Sequence, residues 1–359
     1  MFLFGLLLPI SFIPGITGAS IPTQWALLSI SLPLLLRRQV LPSPIWLTFI
    51  IFAIIGTTWA PEAADTVFGL WLVVLWGLSF QLGCHMSPNH DPEPLFRGLA
   101  IGLSCSGPLA VAQYLGYHPI EAFGDNVAGL LYNRTVLGAF SALVILGLIQ
   151  YRLWYYIPTL LPGFILSGSR GGWLILVSGL LSRIHWTLAL VPALAIAPFL
   201  GASSSDAERL QIWGITLHGL SFLGYGANAF ESVYVFFPDR GPTHLEFVHN
   251  DYLQLLFEFG IAALIPFSVL LTALAWRSSA LLWACTILAT FYFPLYHPLT
   301  AFLFCFVLGN ALRDFTPSSV LIRLRRPDLL PWPKNEVAIS DPTWRTHFPL
   351  RSRTTHPES

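Results

Sequence analysis

Apolar runs of roughly bilayer-spanning length follow one another from residue 2 to residue 312, and that succession constrains the fold more than any motif does. They fall at about 2–17, 21–36, 44–59, 66–84, 95–117, 131–150, 153–168, 171–183, 185–201, 250–276, 279–294 and 298–312. In hydrocarbon every backbone polar group has to find its partner inside the protein, so runs of this kind fold as helices. Some, notably 171–183, lie near the lower length limit. The expectation is an all-α polytopic membrane protein with about 10–12 transmembrane helices. Only 10 % of the residues are charged and the mean hydropathy is +0.66, which excludes a globular enzyme on a single anchor. A net charge of zero argues against a nucleic-acid partner.

Residues 1–312 read as one transmembrane domain with an outer segment at 202–248, and 313–359 as a basic, Pro- and Ser-rich tail, expected to be cytoplasmic and disordered. The N-terminus, Met1-Phe2-Leu3-Phe4, has no basic n-region, so the first run is expected to stay as a helix. Cys84, Cys105, Cys285 and Cys305 lack the spacing of a zinc site or a disulfide framework and are expected to be small core residues. Within 206–222, Arg209, Trp213, Leu217 and Leu220 are spaced like one face of a helix lying at the interface rather than crossing it.

Fourteen of the eighteen basic residues fall on one side of a twelve-span arrangement: Arg37, Arg38, Arg97, Arg152, Arg183, Arg277, Arg313 and seven in the tail. The positive-inside rule makes that side, and both termini, cytoplasmic. Arg134, Arg170, Arg209 and Arg240 lie opposite, where topology does not favour an arginine and another cause is needed.

His249-Asn250-Asp251-Tyr252-Leu253-Gln254-Leu255-Leu256-Phe257-Glu258-Phe259-Gly260 opens what reads as a long apolar helix. Asn250, Gln254 and Glu258 fall at i, i+4 and i+8 on one stripe, with His249 at the helix mouth. Such a stripe faces protein or a wet cavity, either as polar glue for a bundle or as part of a site. Two further outward stations accompany it. Ser167-Gly168-Ser169-Arg170-Gly171-Gly172 is a small-residue turn that reads either as an anion cradle of backbone amides and one guanidinium or as a tight turn whose arginine reaches lipid phosphate. In Asp206 to Trp213, Arg209 and Trp213 share a helical face, as in a cation site or an ordinary interfacial anchor. Gly224-Tyr225-Gly226 follows without the strand and third glycine of a dinucleotide fingerprint. Together, two arginines suit the oxygens of a pyrophosphate and a histidine suits proton transfer near neutral pH. No Asp-x-Asp or His-rich cluster points to a metal.

These residues resemble the O-antigen ligase and O-antigen polymerase superfamily, which includes bacterial protein O-oligosaccharyltransferases. The resemblance rests on Ser169-Arg170-Gly171-Gly172, on Glu208-Arg209 with Trp213 and Gly224-x-Gly226 to Phe230, and on His249-Asn250 through Leu253, Gln254, Glu258 and Gly260. Asn133, Leu137 and Gly138 are similar to an asparagine-containing span of that family, and order and spacing agree over 130–312. The resemblance implies a multi-pass glycosyltransferase of type C-like fold in the bacterial inner membrane, with a periplasmic active site and a role in O-antigen or surface-polysaccharide synthesis. Its donor is an undecaprenyl-pyrophosphate-linked glycan, and its acceptor hydroxyl belongs to lipid A-core, another lipid-linked glycan or a protein Ser or Thr. Arg170 and Arg209 are then expected to hold the donor pyrophosphate and His249 to activate the acceptor, with Asn250, Gln254, Glu258 and Trp213 supporting. Metal and cofactor are not required, and the anomeric carbon inverts. The stretch from Glu231 to Val248 is only eighteen residues, shorter than the loop relatives often carry, so ligase and polymerase both stay open. The rival reading is a transporter or flippase of an anionic lipid-linked substrate, in which the arginines only bind.

Overall fold

The computed structural model describes residues 1–10, 20–36, 44–85, 92–117, 127–131, 133–196, 204–237, 245, 247–277, 279–313 and 315. Arg37, Arg38, Arg240, the middle of the outer segment and the tail beyond Phe315 lie outside the described residues. Met1–Asp314 forms one compact unit and Phe315–Ser359 a second, and the helical fold belongs to the first.

The chain runs through α1 (Phe2–Ile10), α2 (Ser20–Leu35), α3 (Pro44–Gly56), α4 (Ala63–His85), α5 (Glu93–Ser104), α6 (Ser106–Tyr114), α7 (Arg134–Gln150) and α8 (Ile157–Leu166). It continues through α9 (Arg170–Ser182), α10 (Val191–Ile196), α11 (Ser204–His218), α12 (Phe230–Tyr234), α13 (Asp251–Phe259), α14 (Leu264–Trp276), α15 (Ala280–Phe291) and α16 (Pro298–Leu312). No strand occurs among the described residues. Ala64–His85, Glu93–Tyr114 and Asp251–Trp276 are long and apolar enough to cross a bilayer, and seven shorter apolar helices accompany them. Large apolar side chains such as Leu34, Val67, Leu194 and Leu271 stand more than 60 % exposed on the outside, as a lipid-facing surface requires. This is an integral membrane protein.

Four helix starts carry the cap chemistry expected of their residues. The side-chain oxygens of Asn133, Ser169, Asn250 and Ser279 accept from the amides of Thr135, Gly172, Leu253 and Leu282 at 2.7, 3.0, 3.1 and 3.1 Å. Asn133, in a triplet with the form of a glycosylation acceptor, is thus the cap of α7.

Close packing then fixes which helix ends lie together. A Cβ on Gly172 would stand 2.8 Å from the Gly138 carbonyl carbon, and Leu146 packs on Gly179, so α7 and α9 run parallel. A Cβ on Gly179 would lie 3.2 Å from the carbonyl oxygen of Ala280, and Trp186, just past α9, stacks on Trp283 with centroids 6.1 Å apart, so α15 runs antiparallel to α9. One end of the bundle therefore gathers Arg134, Arg170, the C-terminus of α15 and the N-termini of α13 and α16. The other end gathers Arg97, Arg152, Arg183, Arg277 and Arg313.

Three expectations need correction. The run 250–276 is not one helix: α13 ends at Phe259, Gly260 takes φ 51°, and a 3-10 turn over Gly260–Ala263 leads into α14. Hydropathy is continuous through this break, but a left-handed glycine interrupts the helix. Cys105, at the step between α5 and α6, is exposed, so one of the four cysteines is not a core residue. In the third case Ile212 and Thr216 form the buried face of α11, while Leu217 is exposed and Leu220 lies past the helix end.

Candidate functional site

The break after Phe259 is held by the glycine segment that precedes α12. The amides of Tyr225 and Gly226 donate to the carbonyls of Phe257 and Glu258 at 3.2 and 2.9 Å, and that of Ile261 donates to Phe222 at 2.9 Å. These bonds occupy carbonyls that a helix terminus leaves unpaired. Gly224 and Gly260, with φ 75° and 51°, pass so close that a Cβ on Gly224 would stand 2.6 Å from the Gly260 nitrogen. The Gly-x-Gly pair therefore closes backbone against backbone.

The same segment reaches the polar stripe. Glu258 is 1 % exposed, and its Oε2 accepts from the Asn228 amide at 2.8 Å and the Tyr296 hydroxyl at 2.6 Å. Its Oε1 accepts from Gln254 Nε2 at 3.0 Å, and Gln254 Oε1 accepts in turn from the Val248 amide at 3.1 Å. Trp213 Nε1 donates to the Val248 carbonyl at 3.0 Å. Both backbone groups of Val248 are thereby fixed, one from α13 and one from α11.

His249 follows directly, and its φ of 59° is left-handed. A non-glycine residue holds that conformation only where its surroundings enforce it, and such residues cluster at functional sites. Its ring meets Phe293 edge-on at 5.1 Å, and Phe293 stacks between Phe247 and Tyr292 at 4.3 and 4.2 Å. Nδ1 of His249 is buried without a hydrogen-bond partner. Burial first, and the Arg209 charge second, push the imidazole down to about 4, so it is neutral at physiological pH. Arg209 acts electrostatically on the Tyr292 hydroxyl as well.

Two more polar atoms beside His249 have no partner among the described residues, the Tyr292 hydroxyl and Asp251 Oδ1. Asp251 is fully buried, and its Oδ2 accepts from the Leu295 amide at 2.9 Å, while the Leu295 carbonyl accepts from Trp76 Nε1 at 2.8 Å. Sequence reasoning missed Tyr292 and Tyr296 because both fall at the edges of apolar runs. The signal available was the aromatic, Pro-containing junction Phe291-Tyr292-Phe293-Pro294-Leu295-Tyr296-His297 between two spans.

Arg170 is exposed at the first residue of α9, at the same end of the bundle. In the turn before it, three amides are taken up internally: those of Gly168, Ser169 and Gly172 donate to the Ile165 carbonyl, Ser167 Oγ and Ser169 Oγ. Small polar residues this close to the backbone satisfy it themselves. The stations thus differ in how tightly they join: Arg209, Trp213, Val248 and His249 form one linked cluster, and Arg170 shares their end of the bundle. No three His, Cys, Asp or Glu side chains assemble as a metal set among the described residues.

A buried neutral imidazole beside a guanidinium, with unsatisfied polar atoms around it, can take a proton from a polar ligand as an anion is held alongside. No curated protein matches the chain. The family model described as O-Antigen ligase matches residues 127–268, a stretch that takes in Asn133, Arg170, Arg209 and His249, and over this stretch the chain is similar to that family.

Proposed function

We propose that the protein transfers a glycan from an undecaprenyl-pyrophosphate donor onto an acceptor hydroxyl, or polymerises such glycans, in O-antigen or surface-polysaccharide synthesis. The acceptor oxygen attacks the anomeric carbon and forms the new glycosidic bond as the bond from that carbon to the pyrophosphate oxygen breaks, with inversion. The acceptor proton passes to His249, and undecaprenyl pyrophosphate leaves with its charge held by Arg209 and Arg170. No metal takes part in this scheme.

The observation that carries the reading is His249 itself, neutral, left-handed and clamped through Val248, with Arg209 in electrostatic reach. The coupling is chemically useful: a pyrophosphate anion on Arg209 offsets the charge that depresses the imidazole, so donor binding raises the basicity of His249. The separation of the described arginines between two bundle ends supports a cytoplasmic face at Arg152, Arg183 and Arg277 and a periplasmic site at His249.

The test is product formation in a host lacking its own enzyme, with membrane levels of each variant matched. His249→Ala is expected to abolish transfer, and Arg209→Lys and Arg170→Lys to remove most of it, because lysine keeps the charge but loses the fork that engages two phosphate oxygens. Near-normal transfer by His249→Ala would sink the proposal.

A further inference from the structure

Two residues whose amide and carbonyl are both taken border His249, and they are held alike. Val248, which precedes it, has its amide on Gln254 of α13 and its carbonyl on the indole of Trp213 of α11. Leu295, in the junction between α15 and α16, has its amide on Asp251 of α13 at 2.9 Å and its carbonyl on the indole of Trp76 of α4 at 2.8 Å. In each pair a polar side chain of α13 accepts from the amide and a tryptophan of another helix donates to the carbonyl. The first clamp places the backbone of His249. The second lies two residues from Phe293, the ring that meets the imidazole edge-on at 5.1 Å.

We propose that Asp251 and Trp76 are positioning residues, which fix Leu295 through its backbone and so hold Phe293 against the His249 ring and keep water from it. The assignment rests on the transfer reading above, in which His249 takes the acceptor proton. Leu295 and Phe293 are joined through Pro294, whose φ is locked near about −65°, so a placement made at Leu295 reaches Phe293 with little slack. The other holds on the junction lie at or beyond Pro294: Thr300 donates to the Pro294 carbonyl at 2.8 Å, and Tyr296 donates to Glu258 at 2.6 Å and packs on Trp76 with centroids 5.6 Å apart. Asp251 is fully buried, and a carboxylate is costly to bury unless its bonds repay it. Burial is the larger influence on the imidazole, so the packing of Phe293 bears directly on its basicity. A loosened junction admits water and raises that basicity.

The test reads His249 directly. Full-length protein in detergent is treated with diethyl pyrocarbonate, which modifies neutral imidazole, over a pH series from about 3.5 to 8, and the His249 peptide is quantified by mass spectrometry relative to exposed His185. Trp76→Phe keeps a ring against Tyr296, loses the donor and alters no charge beside the imidazole, where Arg209 of α11, Asp251 of α13 and Tyr292 of the junction stand. Trp76→Phe and Asp251→Ala are expected to label His249 about fivefold faster at neutral pH, the factor one lost hydrogen bond makes in the population of an opened state. Their labelling midpoint should move upward from about 4. Asp251→Asn, whose amide oxygen still accepts from Leu295, should stay within about twofold of the unaltered protein. A merely structural role would lower yield or unfolding midpoint and leave His249 labelling as it was. Unaltered labelling in Trp76→Phe overturns the proposal, whether or not Asp251→Ala folds, and so does Asp251→Asn labelling as fast as Asp251→Ala. Should labelling shift as expected while His249→Ala still transfers glycan, the placement stands and the transfer reading falls.

Discussion

Trp213 of α11 donates its indole N–H to the carbonyl of Val248, 3.0 Å away, and so ties the helix that carries Arg209 to the residue next to His249. Arg209 lies one turn before Trp213 on the same helix, so a single bond sets the placement of both the cation and the imidazole. Trp213→Phe keeps the ring that packs on Phe291 and removes only the donor. A bond of this kind contributes about 1 kcal/mol, which corresponds to about a fivefold fall in transfer. The protein should still insert at normal levels. Unchanged transfer by this variant would mean that Val248 is held without the indole.

The pH dependence follows from the depressed imidazole. His249 sits at about 4, so its neutral, proton-accepting form is complete above roughly pH 5 and disappears as the pH falls through 4. The acid limb of transfer at limiting donor is therefore expected near pH 4 and not at the ordinary histidine value of about 6.5. Burial makes the larger contribution and the Arg209 charge the smaller, so Arg209→Gln should move the limb of the residual activity upward, and Arg209→Lys should not. An acid limb near 6.5 in the unaltered enzyme would show that the titrating group is not His249 in this environment.

Tyr292 offers a case where stability and activity should part. Its hydroxyl is buried beside Arg209 with no partner among the described residues, an arrangement that costs about 1–3 kcal/mol when nothing is bound. Tyr292→Phe should therefore leave the unfolding midpoint unchanged or raise it, while donor-dependent transfer falls about tenfold. A midpoint loss of several degrees would instead mark the hydroxyl as a structural group.

Much of this architecture is legible in the sequence, and what is not has identifiable causes. The apolar runs become helices because the backbone has no other way to pair in hydrocarbon, and Asn250, Gln254 and Glu258 share a stripe because the helix period puts them there. The partners of that stripe were not legible: Val248 is held through its backbone, which has no residue-type signature, and the Asn228 amide is presented by a left-handed residue in a loop. Tyr292 was hidden because an aromatic ring at the end of a span contributes apolar area like any other. Nor was it legible that serine hydroxyls would take up two amides of the Ser167–Gly172 turn, those of Ser169 and Gly172.

The two-ended distribution of arginines is open to direct measurement. In a background lacking the four cysteines, Arg134→Cys, Arg170→Cys and Arg209→Cys should each react in intact cells with an impermeant thiol reagent. Arg152→Cys, Arg183→Cys and Arg277→Cys should react only after the inner membrane is opened. One position that labels with the opposite group would break the single-site arrangement around His249.

The final prediction turns on hydrogen-bond polarity along α13. Glu258 accepts on both oxygens, from Gln254 on one and from Tyr296 and Asn228 on the other, while Gln254 accepts from Val248. Glu258→Gln puts an amide donor into this set. If its oxygen keeps Tyr296 and Asn228, its NH2 faces the NH2 of Gln254, and Gln254 relieves the clash only by turning over and releasing the Val248 amide. The single change should therefore lower transfer by about tenfold, since a buried polar group left without its partner costs about 1–3 kcal/mol. Adding Gln254→Glu repairs the pattern. Glu at 254 accepts from the new amide on one oxygen and from Val248 on the other, and the oxygen of Gln at 258 still accepts from Tyr296 and Asn228. The bonds to Val248, Tyr296 and Asn228 and the one between positions 254 and 258 are restored, the last running in the reverse direction. The swapped double variant should recover at least half of the loss on a logarithmic scale, measured as product at matched membrane levels. If it is no better than Glu258→Gln alone, charge at position 258 itself enters the mechanism, and a proton-coupled transporter gains over the transferase.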